Sequence, residues 1–580
     1  MEQRRLFLAI AISIAILLGF RALFPARHQP PPVAQTTQST PASQTPLPPT
    51  GNPAAPGTQP TAVAPPREVP RLPIQAASVE GSISLLGARF DDLVLRDYHE
   101  EVTKTSPLVR LLEPRSDPQP YYVQFGWAAD DANIHVPGDD TMWTASGGSL
   151  TSTEPVTLSW DNGAGLVFQL VVHVDADYMF NVEQRVRNTG GGAVSLHPWA
   201  RIRRDYTPQT AGYYILHEGL LGVVGGTLHE LTYAKTKSEG QGREGVAFDQ
   251  TDQGGWAGIT DKYWLTALIP DQHIAETASF RHVVQDGSDR YQVDFLAKDS
   301  QQVQPGAEAA ATTHLFAGAK EVHLLDRYEA QYGIPAFWKA VDFGWFWFLT
   351  RPIFYALDWL YKIVGNFGIA ILIFTLFVKA LFFPLANRSY RSMSKMKLLG
   401  PKIQEMRERF KDDPPRQQQE MMQLYKMEKV NPVSGCLPMV LQIPVFFSLY
   451  KVIFTTIEMR HAPFFGWIHD LSAVDPTNVF TLFGLVPWNP MLVSPFLHLG
   501  LWPLIMGVTM FLQQKVNPPP PDPMQARMFQ FMPILFTFML ARFPAGLVIY
   551  WSWNNTLTVL QQWLIMRQTR VGTTRSVRTT

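Results

Sequence analysis

An apolar run in the second half of the chain, Phe374-Thr375-Leu376-Phe377-Val378-Lys379-Ala380-Leu381-Phe382-Phe383, carries one cation, Lys379. An ammonium in hydrocarbon costs about 2.5–3.5 kcal/mol at a helix centre, so it must face a partner, a wet cavity or the headgroup layer. Thr375 lies one helical turn earlier on the same face. Gln442 sits inside another apolar segment, and Ser552, Asn554 and Asn555 interrupt a third. Polar groups on separate apolar segments fit a shared hydrophilic interior; interhelical hydrogen bonds alone would use the same residues. Position alone leaves a snorkelling lysine open as well, since about six residues, roughly 9 Å of helix, separate Lys379 from the end of its run.

Residue patterns for covalent catalysis are weak. Ser392-Met393-Ser394-Lys395 matches a serine-hydrolase S-x-x-K but lies in a basic loop without companion motifs. His217-Glu218 and His229-Glu230 each begin an H-E pair that lacks the second histidine of a zinc helix. Gly222-Val223-Val224-Gly225-Gly226 is a strand-loop cluster, and no P-loop is present, which argues against ATP-driven pumping. No cofactor or metal is expected, and no enzyme. The one cysteine, Cys436, excludes an intrachain disulfide.

These residues need elements to hold them. At 580 residues the chain exceeds one compact domain. Lys plus Arg and Asp plus Glu balance at 49 each, so charge points to no nucleic acid, while 36 Phe and 16 Trp crowd toward the C-terminal part beside long apolar runs. Arg4-Arg5 and the run Leu6 to Phe24 predict an N-terminal membrane anchor over 1–24, with a cleaved signal peptide as the rival reading. Residues 25–75, rich in Pro, Gln, Thr and Ala, predict a disordered tether. From 76 to 335, alternating runs such as Phe168–Val174 and Phe180–Val186 predict a large all-β sandwich, with a hairpin from Phe180–Val186 through the loop Asn188-Thr189-Gly190-Gly191-Gly192 to Ala193–Leu196. Residues 336–362, dense in aromatics yet carrying Lys339, Asp342, Arg351 and Asp358, predict an interfacial amphipathic helix. Apolar segments at Val364–Pro384, Leu437–Ile457, Pro495–Leu512, Met528–Leu540 and Ala545–Ile565 predict a five-helix bundle over 363–570, six spans in all with the anchor.

Charge orients them. Between the second and third spans lie Arg388, Arg391, Lys395, Lys397, Lys402, Arg407, Arg409, Lys411, Arg416, Lys426 and Lys429 against six acidic side chains, while His461 to Gln514 has no Lys or Arg. The positive-inside rule puts that loop, both termini and the basic tail 571–580 in the cytoplasm, and the β-domain outside. Arg460 and Arg542 at outer ends are exceptions. Asp412-Asp413-Pro414-Pro415 breaks the loop into a helical hairpin over 386–430, whose arms carry Met393, Met396, Met406, Met421 and Met422. Methionines there suit either varied apolar ligands or ordinary helix packing.

Several stretches are specific enough to name a family. Phe377–Leu385, Met396–Gln404, Asn431–Pro438, Gln442–Phe446, Trp467–Ser472 and Phe543–Leu547 resemble the YidC membrane protein insertases, and the layout of anchor, linker, large periplasmic domain and five helices is similar too. The resemblance implies a protein that inserts and folds inner-membrane proteins without nucleotide, alone or with the Sec translocon, meeting nascent chains, lipids and, through basic cytoplasmic segments, the ribosome. It implies a hydrophilic groove open to cytoplasm and lipid, formed by Lys379, Thr375, Gln442, Trp551 and Asn554. The implied substrate slide comprises Cys436, Leu441, Ile443, Pro444 and residues near Pro533. Many relatives have arginine where this chain has Lys379, which keeps the charge without the bidentate fork. The apolar stretch Thr477 to Leu497 departs from the family pattern. Rival readings are a solute channel or transporter and a membrane-tethered carbohydrate enzyme; no internal repeat supports the former.

Overall fold

The computed structural model describes residues 69–212, 216–285, 287–411, 413–428, 437–493, 497–517 and 523–577. The N-terminal anchor, the tether up to residue 68, Cys436 and the last residues of the basic tail lie outside the described residues.

Two antiparallel sheets make the β-domain, one of ten strands and one of nine. Alternation puts the side chains of Leu166, Phe168, Leu170, Val172 and Val174 into the core from strand Leu166–Val174 while the residues between them face out. Two features differ from the sequence expectation. The first strand is Arg71–Gln75, inside the segment expected to be tether: Leu72 and Ile74 turn inward, and Pro73 is tolerated because this is an edge strand. The expected hairpin around Gly190-Gly191-Gly192 does not form. Met179–Asn188 pairs with Leu166–Val174 and Glu308–Ala319, whereas Val194–Arg204 pairs with Tyr121–Ala129 and Ser288–Ala297 in the other sheet. The glycine run is therefore a crossing between layers. Asn188, fully buried, holds it by donating from Nδ2 to the carbonyls of Gly192 (2.7 Å) and Val303 (2.9 Å).

The outward face of the ten-stranded sheet is polar yet covered. Arg201 lies opposite Asp294 in the ladder and donates to it from Nε at 2.7 Å with both side chains buried, and Arg281 and Gln292 also face that carboxylate.

Two short helices belong to this domain, α1 (Tyr233–Gly240) and α2 (Val322–Tyr332). The aromatic segment then forms a 3-10 turn, Phe337–Ala340, and after Gly344 in left-handed conformation (φ 71°) the amphipathic α3 (Trp347–Val364). It is interrupted rather than one continuous helix over 336–362. The remaining helices are α4 (Phe367–Leu381), α5 (Phe383–Leu398), α6 (Gly400–Arg409), α7 (Pro414–Met427), α8 (Leu437–Thr455), α9 (Leu501–Val516), α10 (Pro523–Leu540) and α11 (Ala545–Val577). Among the described residues no single helix is long and apolar enough to cross a membrane by itself; α4 and the start of α5 do so as a pair bent by 66°. Pro384, at the start of α5, has no N–H to continue the α4 ladder, which accounts for a break at that point.

The β-domain and helices are tied at the outer helix ends. Glu458 accepts the backbone N–H of Val322 at the start of α2 (2.9 Å), Lys451 pairs with Asp342 (2.7 Å), and Tyr263 donates to Ser472 Oγ (3.2 Å). Arg460 donates to the carbonyls of His99 (2.6 Å) and Glu100 (3.1 Å), which explains a cation on the outer side: the β-domain's own backbone holds it.

Removing the Asp294 carboxylate leaves Arg201 and Arg281 buried around an uncompensated gap. Asp294→Ala is expected to destabilise the β-domain by about 3–5 kcal/mol, measured by urea unfolding followed through tryptophan fluorescence.

Candidate functional site

Helix α4 begins where Gly365, in left-handed conformation (φ 70°), ends α3 and Asn366 caps the new helix, its Oδ1 accepting the N–H of Ile369 at 3.0 Å. Counting turns from that cap places Phe374, Thr375, Val378 and Lys379 on the face toward α8 and α11. There they meet Gln442, Val445 and Leu449 of α8 and Tyr550 and Asn554 of α11 around a cleft. The cleft is narrow and partly open to the surface, too tight for a water molecule.

The polar contacts inside are few. Lys379, half-buried, turns its Nζ inward to donate to Thr558 Oγ1 of α11 at 2.8 Å, not outward toward the α4–α5 bend. Among the described residues no carboxylate pairs with it. Gln442 donates from Nε2 to the Tyr550 hydroxyl. The buried hydroxyl of Thr375 donates back to the carbonyl of Ile371 at 2.6 Å, so its oxygen remains an acceptor for anything entering the cleft. Asn554 Oδ1 is buried with no partner among the described residues.

Of the groove residues expected from sequence, Lys379, Thr375, Gln442 and Asn554 come together here. Trp551 does not line the cleft. Its ring packs edge-on against Phe446 of α8 (4.7 Å between centroids) and near Phe536 of α10 (6.1 Å), so it stands between the two helices expected to form the slide. Ser552 and Asn555 also face elsewhere: Ser552 bonds back to Val548 O, and Asn555 donates to Thr509 of α9. Sequence reasoning missed Tyr550 and Thr558. Their signal was spacing, because Tyr550, Asn554 and Thr558 recur every four residues and form one polar stripe along α11.

The slide helices present apolar surface. Ile443 on α8 is 47% exposed and Phe531 on α10 is 66% exposed, beside Val440, Phe447, Ile534 and Leu535. Leu441 and Pro444 are half-buried, and Pro533 is buried. Pro533 cannot donate to the carbonyl of Phe529 four residues earlier; Gln514 of α9 fills that place, donating from Nε2 at 2.7 Å. Helices α9 and α10 approach closely at Gly507, where a Cβ would fall 2.1 Å from Thr537 Oγ1.

At the outer end, two of the sequence blocks meet. The N–H groups of Ala545 and Gly546, which open α11, donate to the carbonyls of Ala473 (2.7 Å) and Leu471 (2.9 Å). Asp475 and Thr477 do the same for α9, accepting from Trp502 N and Leu501 N at 2.9 Å each.

On the hairpin, Asp413 caps α7 by accepting the N–H of Arg416 at 3.2 Å. Met396, Met406 and Met421 pack around buried Leu399, Ile403 and Leu424, and Met393 packs beside Ala386, Tyr390 and Ile565. Met422 alone of the five expected contact methionines is exposed.

Comparison with known proteins places this arrangement. Residues 359–572 match the family model described as 60Kd inner membrane protein, and residues 71–356 match the YidC periplasmic domain. The membrane protein insertase YidC of Granulibacter bethesdensis is 66% identical over 98% of this chain and 99% of its own length; that of Acidiphilium cryptum is 56% identical over 87% and 85%. The chain belongs to the YidC membrane protein insertase family. A crystal structure of an active YidC insertase with its first transmembrane domain resolved covers 85% of this chain and 92% of its own, at 16% identity and a TM-score of 0.34.

Gln514→Leu orphans the Phe529 carbonyl between α9 and α10. It is expected to destabilise the α9–α10 pair by about 1–3 kcal/mol, read as a lower thermal unfolding midpoint of the purified protein in detergent, with Gln514→Glu unable to restore it because a carboxylate cannot donate.

Proposed function

We propose that this chain inserts other proteins into the bacterial inner membrane by drawing their polar tails into the cleft beside Lys379. Moving such a tail across about 30 Å of hydrocarbon is costly because each bare polar group costs several kcal/mol there. A polar cleft that opens from the cytoplasmic side shortens the path.

The observation that carries the reading is the partner of Lys379. Its ammonium rests on a neutral hydroxyl, Thr558, with no carboxylate beside it among the described residues. The Lys379–Thr558 bond has one ionised member; a carboxylate adds the Coulomb attraction of a full ion pair in a low-dielectric cleft, so an incoming Asp or Glu displaces Thr558. Opening the cleft also parts Gln442 from Tyr550, and the freed amide, hydroxyl and Asn554 then face the tail. The apolar segment of the cargo leaves into lipid over Ile443, Pro444 and Pro533, with Trp551 as the floor between α8 and α10.

In this reading the helices α4, α8, α9, α10 and α11 are spans, the first with its bend, and the N-terminal segment is the anchor of a six-span protein with both termini in the cytoplasm. The exposed Lys402, Arg409 and Lys411 on the hairpin suit contact with ribosomal RNA, and Met422 suits the nascent chain. The Sec translocon and membrane lipids complete the partners; no nucleotide or other cofactor takes part.

The test uses Lys379→Arg, Lys379→Ala and Lys379→Glu in proteoliposomes, following protease protection of a short single-span substrate with an acidic tail. Arg is expected to keep most insertion, Ala to lose about tenfold, equivalent to ~1.4 kcal/mol, and Glu to lose more. Exchanging the acidic tail for a basic one should reverse the order of Ala and Glu. Equal insertion by all three would reduce Lys379 to a snorkelling side chain.

A further inference from the structure

The apolar stretch that departs from the family pattern has no part in the insertion path. From Pro476 to Gln514 the chain contains no Lys, Arg, Asp or Glu. Its first part is an ordered loop pinned to the start of α9. Val479 N donates to Leu499 O (2.9 Å), and Asn478 Nδ2 to Leu497 O (2.9 Å). Within the loop, Phe483 N bonds to Asn478 O (3.0 Å), Val486 N to Thr481 O (3.0 Å), and Trp488 Nε1 to Phe480 O (2.8 Å).

Polar groups are thus paired inside while large apolar side chains point out. Leu485 is 82% exposed and Leu492 85%, with Leu482, Phe483, Trp488 and Val493 exposed beside them. Leu482 and Phe483 are consecutive non-glycine residues in the left-handed region, at φ 48° and 59°. Bulky residues avoid that region, and this backbone adopts it twice in succession while burying neither side chain.

We propose that the loop Val479–Val493 is a membrane anchor, seated in the headgroup and acyl boundary of the outer leaflet beside α9. The inference rests on the reading of α9 as a span. Three observations select lipid as the occupant. The loop is continuous in sequence, and in its lack of charge, with the exposed apolar face of α9 at Val508, Phe511 and Leu512. Its base is bonded to the outer end of that helix, which sets it at the level of the membrane surface. An aromatic and aliphatic patch without charges suits the interfacial layer, where a tryptophan whose N–H is already bonded buries its ring without loss. A patch of this kind in water would be an aggregation liability. The anchor fixes the outer end of α9 and, through Gln514 and Gly507, the helix α10 against which cargo leaves.

The single native cysteine makes the test direct. In a Cys436→Ser background, nitroxide labels are placed by Leu485→Cys, Leu492→Cys, Phe511→Cys on α9 and Thr153→Cys on the β-domain surface. The full chain is reconstituted in phosphatidylethanolamine and phosphatidylglycerol vesicles, and collisions with oxygen and with a water-soluble nickel chelate are compared by power saturation. The expected result is that 485 and 492 favour oxygen as 511 does, several-fold above 153. A nickel-accessible signature at 485 and 492 beside an oxygen-rich 511 overturns the anchor and leaves α9 in the membrane. Exclusion of both reagents at 485 and 492 means that protein covers the loop, which also overturns it. Nickel access at 511 itself removes both the span and the anchor.

Discussion

The helical region centres on a cation that has no acidic partner among the described residues. An ammonium on an apolar helix must find polar company, and the fold supplies it sparingly: one hydroxyl from Thr558, with an amide and a phenol nearby that bond to each other. Had a carboxylate occupied the place of Thr558, the charge would be neutralised and the pair would resist opening. In the proposed mechanism this neutral partner holds the lysine inward until a cargo carboxylate replaces it. The cleft as a whole is equally tight, too narrow for a water molecule.

In the proposed path the outer helix ends stay fixed while the cytoplasmic side opens. The loop from Ile468 to Thr477 supplies carbonyl and side-chain acceptors to the first turns of α9 and α11, and the periplasmic domain grips the end of α8 through Lys451, Glu458 and Arg460. On the other side, α5 packs Ala386 and Tyr390 against Ile565 of α11, and the hairpin α6–α7 continues from α5. Between α8 and α10, apolar side chains face outward where a hydrophobic segment would pass into lipid.

Much of this was legible in the sequence, and the failures have physical reasons. Alternating apolar residues marked the strands and charge-free runs marked the helices, because each reports a local period. The crossing at Gly190-Gly191-Gly192 was misread as a hairpin loop: a glycine run permits a turn, but whether the next strand returns to its neighbour or changes sheets depends on the distant strands Tyr121–Ala129 and Ser288–Ala297. Arg71–Gln75 was hidden by Pro73 and by its proline-rich approach. In the site, Lys379, Thr375, Gln442 and Asn554 stood out as polar residues in apolar runs. Thr558 escaped notice because a threonine inside a helix attracts no attention until its spacing from Tyr550 and Asn554 is counted. Trp551 has the right neighbourhood but a neighbouring face of α11, about 100° round from Tyr550, which composition cannot distinguish.

The central claim is that the polar tail of a cargo enters the cleft while its apolar segment lies along α8 and α10. Site-specific photocrosslinking from a benzophenone residue at position 554 and, separately, at 443 to a ribosome-stalled nascent chain tests it most directly. The account predicts that 554 captures the hydrophilic tail and 443 the hydrophobic segment, and that capture at 554 weakens when the tail's acidic residues are neutralised. Capture of the hydrophobic segment at both positions, or no capture at 554, would contradict it.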